Sequence, residues 1–223
     1  MDRAKALIST VPAIVRRVLL ALAAALCVTA CAQTTAGTAV RSVPGIDDDS
    51  RSPIDVDTVL LDQAQMRAIT GAGDDLTVIP SMDGKRPVDI DQLAQPAPPQ
   101  CRWYFIESQV FGPEIEEFHK TTYQNPPDGA LISQGAAAYR DPDTARRAFD
   151  GLAGLIDVCG FTASGPVFVG DWTTSGDAIS TRTVGCGRDY RLKSVVLVEV
   201  TFCAFPASVP DIVMTNMLAK VPG

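Results

Sequence analysis

The chain has 223 residues, and 46% of them are hydrophobic, which is enough for one domain with a real core and excludes a disordered chain. The formal charge is −7; residues 1–30 carry four bases and one acid, so the rest carries 15 bases and 25 acids. No basic cluster interrupts this acidic remainder, so the composition argues against nucleic-acid binding.

Residues 1–30 are predicted to be an export signal. Arg16 and Arg17 precede the apolar run "VLLALAAALCVTA" (18–30), which ends in small side chains. At 13 residues this run is shorter than the roughly 20 needed to cross a bilayer, so it is typical of a cleaved signal rather than a permanent anchor. The residues around the paired arginines lack the rest of a twin-arginine motif, which favours general secretion.

The string "VTAC" (28–31) resembles a bacterial lipobox. We therefore expect Cys31 to be acylated and to become the first residue of the mature protein, held at the outer face of the cell membrane. The alternative is an ordinary signal with a bystander cysteine. Five cysteines remain after the signal, and lipidation of Cys31 accounts for the odd one. Two or more acyl chains make such an anchor stable, whereas one is marginal.

Residues 31–56 are small, polar and acidic without a sustained period, and they are predicted to be a flexible tether. As a coil it would reach about 27 Å. Its "DDD" (47–49) lacks the spacing of a calcium loop, so no metal site is expected there. The folded domain is predicted to span residues 57–223.

The first predicted elements are a helix over 60–71, with Asp62 as its N-cap and Gly71 at its end, and a strand over 76–82. Residues 83–100 are rich in proline and aspartate, and we expect a long loop of the kind that often carries function. Three strands should follow at 102–108, 116–124 and 130–140, because turn signals separate runs of strand-forming residues.

Residues 141–159 show the clearest helical period, with Asp141 as the cap and Pro142 in the first helical position. The stretch 166–186 is β-like, and 194–203 is the strongest strand. The string "SVPD" (208–211) resembles a capping box that opens a final helix. These elements predict an α+β fold, an antiparallel sheet packed by two main helices.

Four cysteines lie in the predicted domain, and they allow three pairings: Cys101, Cys159, Cys186 and Cys203. If the chain turns near residues 194–195, Cys186 and Cys203 face each other across a hairpin, which leaves Cys101 to join Cys159. Zinc is the alternative. The sequence has no CxxC pair and its one histidine is far from any cysteine, so structural disulfides are favoured.

The helix "YRDPDTARRAFDGLAGLIDVCG" (139–160), a β region, the segment "CGRDYRLKSVVLVEVTFC" (186–203) and a closing helix resemble the PknH-like extracellular sensor domain. This family occurs in mycobacterial receptor serine/threonine kinases and in stand-alone mycobacterial lipoproteins. The resemblance implies an α/β fold, the same two disulfide pairs, and a cleft for an unidentified ligand. The sequence itself has no Gly-rich phosphate loop, no H-R-D and no D-F-G motif of a kinase.

No catalytic constellation stands out. The only histidine, His119, is expected on a strand among charged neighbours, where a hydrogen-bonded role is more typical than that of a base. Glu114, Glu116 and Glu117 would need a set separation across a sugar to act as a glycosidase pair, and a solvated strand edge explains them better. We therefore expect no enzyme activity and no cofactor.

The candidate ligand residues are aromatic and basic. Core packing is the ordinary role of Trp103 and Trp172 and of their neighbours Tyr104 and Phe105, and the functional alternative is lining a cleft for a lipid or glycan. Arg102 and Arg188 lie near disulfide cysteines and would suit an anionic ligand.

These observations predict a non-catalytic envelope lipoprotein that binds or senses an extracytoplasmic ligand. A lipid carrier or envelope-assembly accessory protein is the alternative, and an unrecognised hydrolase comes third. The expected partners are the membrane, through the lipid anchor, a small molecule, lipid or glycan, and an envelope protein that receives the signal.

Overall fold

A seven-stranded sheet, antiparallel throughout, organises residues 52–223, the part of the chain that the computed structural model describes. Its strand order is β1-β2-β3-β7-β6-β5-β4. The strands are β1 (Thr77–Gly84), β2 (Glu117–Asn125), β3 (Ala130–Ala138), β4 (Asp171–Ser175), β5 (Ala178–Thr183), β6 (Cys186–Lys193) and β7 (Val196–Cys203). The α+β prediction is confirmed.

Helices cover both faces of this sheet. They are α1 (Gln63–Thr70), α2 (Asp91–Ala94), α3 (Glu107–Phe111), α4 (Pro142–Gly160), α5 (Gly165–Phe168) and α6 (Ser208–Lys220). A 3-10 helix, Pro99–Phe105, leads into α3, and shorter ones lie at Val56–Thr58, Gly73–Asp75 and Pro126–Asp128. The two main helices of the prediction are α4 and α6.

Strand β7 shows why the sheet needs a layer on each side. Val196, Val198 and Val200 belong to the apolar cluster that includes residues of α1 and α6, whereas Leu197 belongs to the cluster beneath α4. Side chains alternate between the faces of a strand, so an apolar residue at almost every position demands cover on both faces. The two main helices therefore pack on opposite faces.

The predicted caps of two helices are present. The Asp62 side chain accepts a hydrogen bond from the Gln65 N–H, the Asp62 N–H donates one to Gln65 Oε1, and Gly71 ends α1 with φ +70°. At α4, Asp141 accepts from the Thr144 N–H at 2.7 Å, and Pro142 is the first helical residue. Both pairings satisfy helix-end N–H groups that lack intrahelical partners.

Two sequence predictions are wrong. Residues 102–108 form the end of the 3-10 helix and the start of α3, not a strand. Their aromatic residues favour burial rather than one backbone conformation, and Trp103 is buried in this helix. The "SVPD" string makes no capping box: the Val209 N–H bonds to the Pro206 carbonyl, so Ser208 is already helical and its side chain does not cap.

The packed region begins slightly before the predicted domain start. Ile54 and Val56 are buried in the core, three residues or fewer before Asp57. The predicted signal, Cys31 and most of the tether lie outside the described residues.

Both disulfides have the predicted pairing, Cys101 with Cys159 and Cys186 with Cys203. The hairpin of β6 and β7 pairs Cys186 directly with Cys203, so the register inferred from the sequence is correct. The first bond ties the 3-10 helix to the end of α4. The second closes the open end of the hairpin.

Among residues 52–223, no helix is both long enough and apolar enough to span a membrane.

We predict that the two disulfides differ in their stabilising effect. Replacing Cys101 and Cys159 together by serine should lower the free energy of unfolding by about 4 kcal/mol, and replacing Cys186 and Cys203 by about 3 kcal/mol, because the first bond closes the longer loop. Chemical denaturation of the two double variants measures both values. A larger loss from the hairpin pair would contradict this order.

Candidate ligand-binding site

A cavity of about 440 Å³ opens on the α4 face of the sheet. Strands β2, β3, β7 and β6 form its floor. The 3-10 helix, α3 and the segment after β1 form its walls. The apolar lining residues are Met82, Val88, Ile90, Leu93, Tyr104, Phe105, Val110 and Phe118. The polar lining residues are Ser81, Asp83, Arg86, Glu107, Lys120, Thr122, Ser133, Arg188, Glu199 and Thr201, and Gly84 also lines the cavity.

Strand register arranges the floor in rows that run across the sheet. One row is apolar and lies beneath α4: Leu192, Leu197, Ala137 and Phe118. The next row is Tyr190, Glu199, Gly135 and Lys120, and the one after it is Arg188, Thr201, Ser133 and Thr122. The floor therefore changes from apolar to charged to polar within three rows, just where the cover of α4 gives way to the cavity.

A buried ion pair crosses the middle row. Lys120 Nζ lies 2.9 Å from Glu199 Oε2 and 2.8 Å from Glu107 Oε1. The Lys120 and Glu199 side chains meet above Gly135, where a Cβ would already lie 3.5 Å from both Glu199 Oε2 and Lys120 Cγ. A Cβ at position 135 would therefore be in ordinary van der Waals contact with both side chains, and the pair lies directly over this residue.

The protonation states of the pair follow from its neighbours. Burial disfavours the charge on Lys120, but Glu199 and Glu107 outweigh it and raise the pKa of Lys120 above its ordinary value. Burial likewise opposes the charge on Glu199, but Lys120 and Arg188 outweigh it and lower the pKa of Glu199. Both groups are therefore charged at neutral pH.

Arg188 is the second cation of the floor. Its guanidinium carbon lies 3.7 Å from the centre of the Tyr104 ring, a cation–π contact. Its Nε is buried and has no hydrogen-bond partner within residues 52–223. Burial acts against its charge, but nearby Tyr190, Tyr104 and Glu199 keep the pKa of Arg188 above the ordinary arginine value.

The apolar rim comes from a bulge and a loop. Between the pairs Val78–Tyr123 and Asp83–Thr121, four residues of β1 stand opposite Thr122 alone, so this part of β1 leaves the regular register beside the cavity. Residues 88–90 are then tied to α3 and the helix before it. Val88 N–H donates to Glu107 Oε2 at 2.8 Å, and Ile90 N–H donates to the Phe105 carbonyl at 2.8 Å. The rim is therefore built in advance of any ligand.

Only one of the four candidate ligand residues lines this cavity, namely Arg188. Arg102 is exposed and donates to the Ala97 carbonyl, and Trp103 is buried in the core. Trp172 donates to Asp157 at 2.8 Å and its ring lies against Gly160. Among the aromatics, Tyr104 and Phe105 reach the cavity instead.

His119 lies on the outer part of β2 and is hydrogen-bonded, as its sequence context suggested. Its Nδ1 is 2.8 Å from Asp57 Oδ1 and its Nε2 is 3.0 Å from Asp83 Oδ1. Thr121 Oγ1 donates to the same Asp83 oxygen at 2.8 Å, so the carboxylate, and not the imidazole, accepts the hydrogen bond from this hydroxyl group. The cluster ties the start of the domain to β1 and β2.

The three glutamates considered for glycoside chemistry point to separate places. Glu114 pairs with Arg147 at 3.1 Å, and Glu117 accepts a weak bond from the Val56 N–H at 3.3 Å. Glu116 Oε2 is buried and has no partner within the described residues. None of the three lines the cavity. No cluster in the described chain has the make-up of a metal site.

Sequence reasoning did not single out Lys120, Glu107 or Glu199. Glu199 carried a usable signal, because a glutamate in the middle of the apolar strand "SVVLVEVTFC" needs a buried cation. Lys120 and Gly135 gave no such signal in the sequence, because only the pairing of β2 with β3 and of β3 with β7 places them beside Glu199.

A family model described as the PknH-like extracellular domain matches residues 52–220, nearly the whole described region. The chain belongs to this family. It is an extracellular, sensor-like domain, as the resemblance in the sequence implied.

A solved relative supports the fold. The crystal structure of the extracellular domain of PknH from Mycobacterium tuberculosis superposes with a TM-score of 0.54 and 17% identity, covering 76% of this chain and 97% of that one. At this identity the likeness concerns the fold. No curated protein matches the chain.

We predict that Lys120→Met lowers the free energy of unfolding by about 3 kcal/mol, because it leaves Glu199 buried without its cation. Lys85→Met is the matched control: Lys85 also pairs with a carboxylate, that of Asp57, but at the surface, and its loss should change stability little. Denaturant unfolding of both variants makes the comparison. Equal effects would contradict a structural role for the buried pair.

We also predict an acid-sensitive contribution from Glu199. Because its pKa is lowered in the folded state, its stabilising effect is complete above the ordinary value of 4.5 and is lost as pH falls through the folded value. Unfolding of the wild type and of Glu199→Gln, measured from about pH 6 down to about pH 3, should show a shallower loss in the variant. Parallel curves would contradict the assignment.

Proposed function

We propose that this protein is a non-catalytic, lipid-anchored binding protein of the cell envelope, whose domain holds a small extracytoplasmic ligand in the cavity above β2, β3 and β7. The single observation that carries the proposal is this cavity, with its charged floor and apolar rim. The lipobox at Cys31 supplies the expected anchor, and the family supplies the extracellular address.

The cavity has the character of a small-molecule site. Its volume of about 440 Å³ lies within the usual range of roughly 300–1,000 Å³ for such sites. Its walls are largely apolar, and a few polar groups converge at one end, the arrangement that gives both affinity and orientation. Hydrogen bonds and the Lys120 ion pairs hold those groups in place, so little ordering accompanies binding.

The cavity also weighs against the alternatives. A lipid carrier calls for a continuous apolar cavity, whereas this floor carries Lys120, Glu107, Glu199 and Arg188. A hydrolase built on His119 would need a free imidazole next to a nucleophile, and His119 is held between two aspartates. Binding without turnover fits the arrangement better than either.

A sensor of this kind acts through its partners. Cys31 would keep the domain within reach of the membrane, and the tether of residues 31–56 would let it meet an envelope protein. The envelope protein would then recognise the domain in its ligand-bound form.

We predict that residues 32–223, purified from the native envelope, carry a bound small molecule in native mass spectrometry. Val88→Trp should abolish this extra mass, because Val88 lines the cavity and is 54% exposed, so a larger side chain there would fill the site. Val184→Trp is the control, since Val184 is fully exposed on a turn away from the cavity. Equal retention by both variants would contradict the proposed site.

We predict that Cys31→Ser abolishes incorporation of labelled palmitate and releases the protein from the membrane fraction. Labelling of cells followed by fractionation tests this. Label at the wild-type level in the variant would refute the anchor and leave cavity binding unaffected.

A further inference from the structure

We propose that the ligand is an anionic amphiphile: one carboxylate or phosphate group bound by Arg188, continued by a short apolar chain along the rim of Met82, Val88, Ile90 and Leu93. This inference rests on the proposed function, and it names the chemical class of the ligand. Four observations lead to it: the satisfied charges of the floor, the unsatisfied one, the spare hydroxyl group and the exposed apolar rim.

The first observation is that three charged groups of the cavity already have partners: Lys120 and Glu199 on the floor and Glu107 on the wall. Lys120 bridges Glu107 and Glu199. The remaining oxygen of Glu107 accepts the Val88 N–H at 2.8 Å, and the remaining oxygen of Glu199 accepts the Thr201 hydroxyl at 2.9 Å. These three groups form a closed unit that has no need of a ligand.

The second observation is that Arg188 lacks a carboxylate partner, although the Tyr190 side chain lies close to it. No carboxylate of residues 52–223 lies within 4.0 Å of its guanidinium, and its Nε is buried without a hydrogen bond. A buried donor without an acceptor costs free energy, and a planar guanidinium is suited to two parallel bonds with a carboxylate or phosphate. Tyr104 fixes the plane of the group by stacking on it at 3.7 Å.

The third observation concerns the rest of the row that contains Arg188. Thr122 Oγ1 and Ser133 Oγ are 2.8 Å apart, so one of the two hydroxyl groups donates to the other. The hydroxyl that accepts keeps its own hydrogen free to donate toward the cavity. The polar row therefore offers donors, which an anionic head group requires.

The fourth observation is the exposure of the rim. Met82 is 49% exposed, Val88 54%, Ile90 43% and Leu93 49%, and all four line the same cavity. Exposed apolar side chains gathered at one site indicate an apolar partner. A free inorganic anion would leave these four residues in water, whereas an attached chain would cover them.

The charge of the whole protein makes the local cation decisive. Residues 31–223 carry ten more acids than bases, so the chain offers an anion no general attraction. The cavity lining has two cations besides Lys120, namely the exposed Arg86 and Arg188. Arg188 lies in the polar row of the floor, so its loss should remove most of the selectivity for an anionic head.

The test is calorimetric titration of residues 32–223, which contain the whole sheet, both cores and both disulfides. The probes share one tail and differ in the head group: decanoate, decyl phosphate, decanol and decyltrimethylammonium, with acetate and inorganic phosphate as heads without a tail. Decanoate or decyl phosphate should bind at least about tenfold more tightly than decanol, as expected for a charge-assisted hydrogen bond. The cationic probe and the two tail-less anions should not bind measurably.

Three variants locate the effect. Arg188→Gln should remove the preference for anionic probes while keeping decanol affinity, and Arg188→Lys should restore part of it. Arg102→Gln is the matched control, because Arg102 also lies beside a disulfide cysteine but is exposed outside the cavity. It should bind like the wild type. The wild-type probe series stands as a test by itself if Arg188→Gln proves unstable.

The outcomes separate the head group, the ligand class and the proposed function. Tighter binding of decanoate indicates a carboxylate source, and tighter binding of decyl phosphate a phosphate source; either supports the proposal. Equal affinity for decanol and the anions would overturn it and leave a binding cavity. Failure of every probe, together with a neutral or cationic molecule retained from the envelope, would also overturn the class alone. Failure of every probe with no retained molecule would overturn the proposed function as well.

Discussion

The contact on which the α4 face of the sheet depends is the buried ion pair between Lys120 and Glu199. It joins β2 to β7 across β3, and the two side chains meet above Gly135. Two charges in a core are costly unless each is fully partnered. Glu107 completes the partnership from α3 and thereby fixes the loop that forms the cavity rim. One electrostatic requirement thus positions the floor, one wall and the mouth of the site.

The two faces of the sheet serve different purposes. On the face covered by α1 and α6, the β7 side chains are apolar at every position and belong to one buried cluster. On the other face, the cluster that includes α4 contains the apolar row and Tyr190, whereas the other charged and polar side chains of the next two rows line the cavity. The bulge in β1 widens the opening beside Thr122. The same alternation along a strand therefore produces both a packed core and a site.

Local signals in the sequence predict the parts of this protein that depend on neighbours in the chain. Asp62 and Asp141 cap their helices, and Cys186 pairs with Cys203, because hairpin register follows from the position of the turn. The 3-10 helix at residues 99–105 was missed since aromatic residues report burial and not backbone shape. The cavity was missed because it is formed by rows across four strands. Of the four residues proposed from the sequence, only Arg188 lies in such a row.

The most direct test of anion binding in the cavity follows the side chain of Arg188 itself. Nitrogen NMR of the arginine Nε–H groups, recorded as decanoate is added to residues 32–223, reports which guanidinium meets the ligand. We expect the Arg188 Nε–H signal to shift most, because that group gains its first acceptor, while the Arg102 signal stays in place. A shift at Arg102 with none at Arg188 would contradict it.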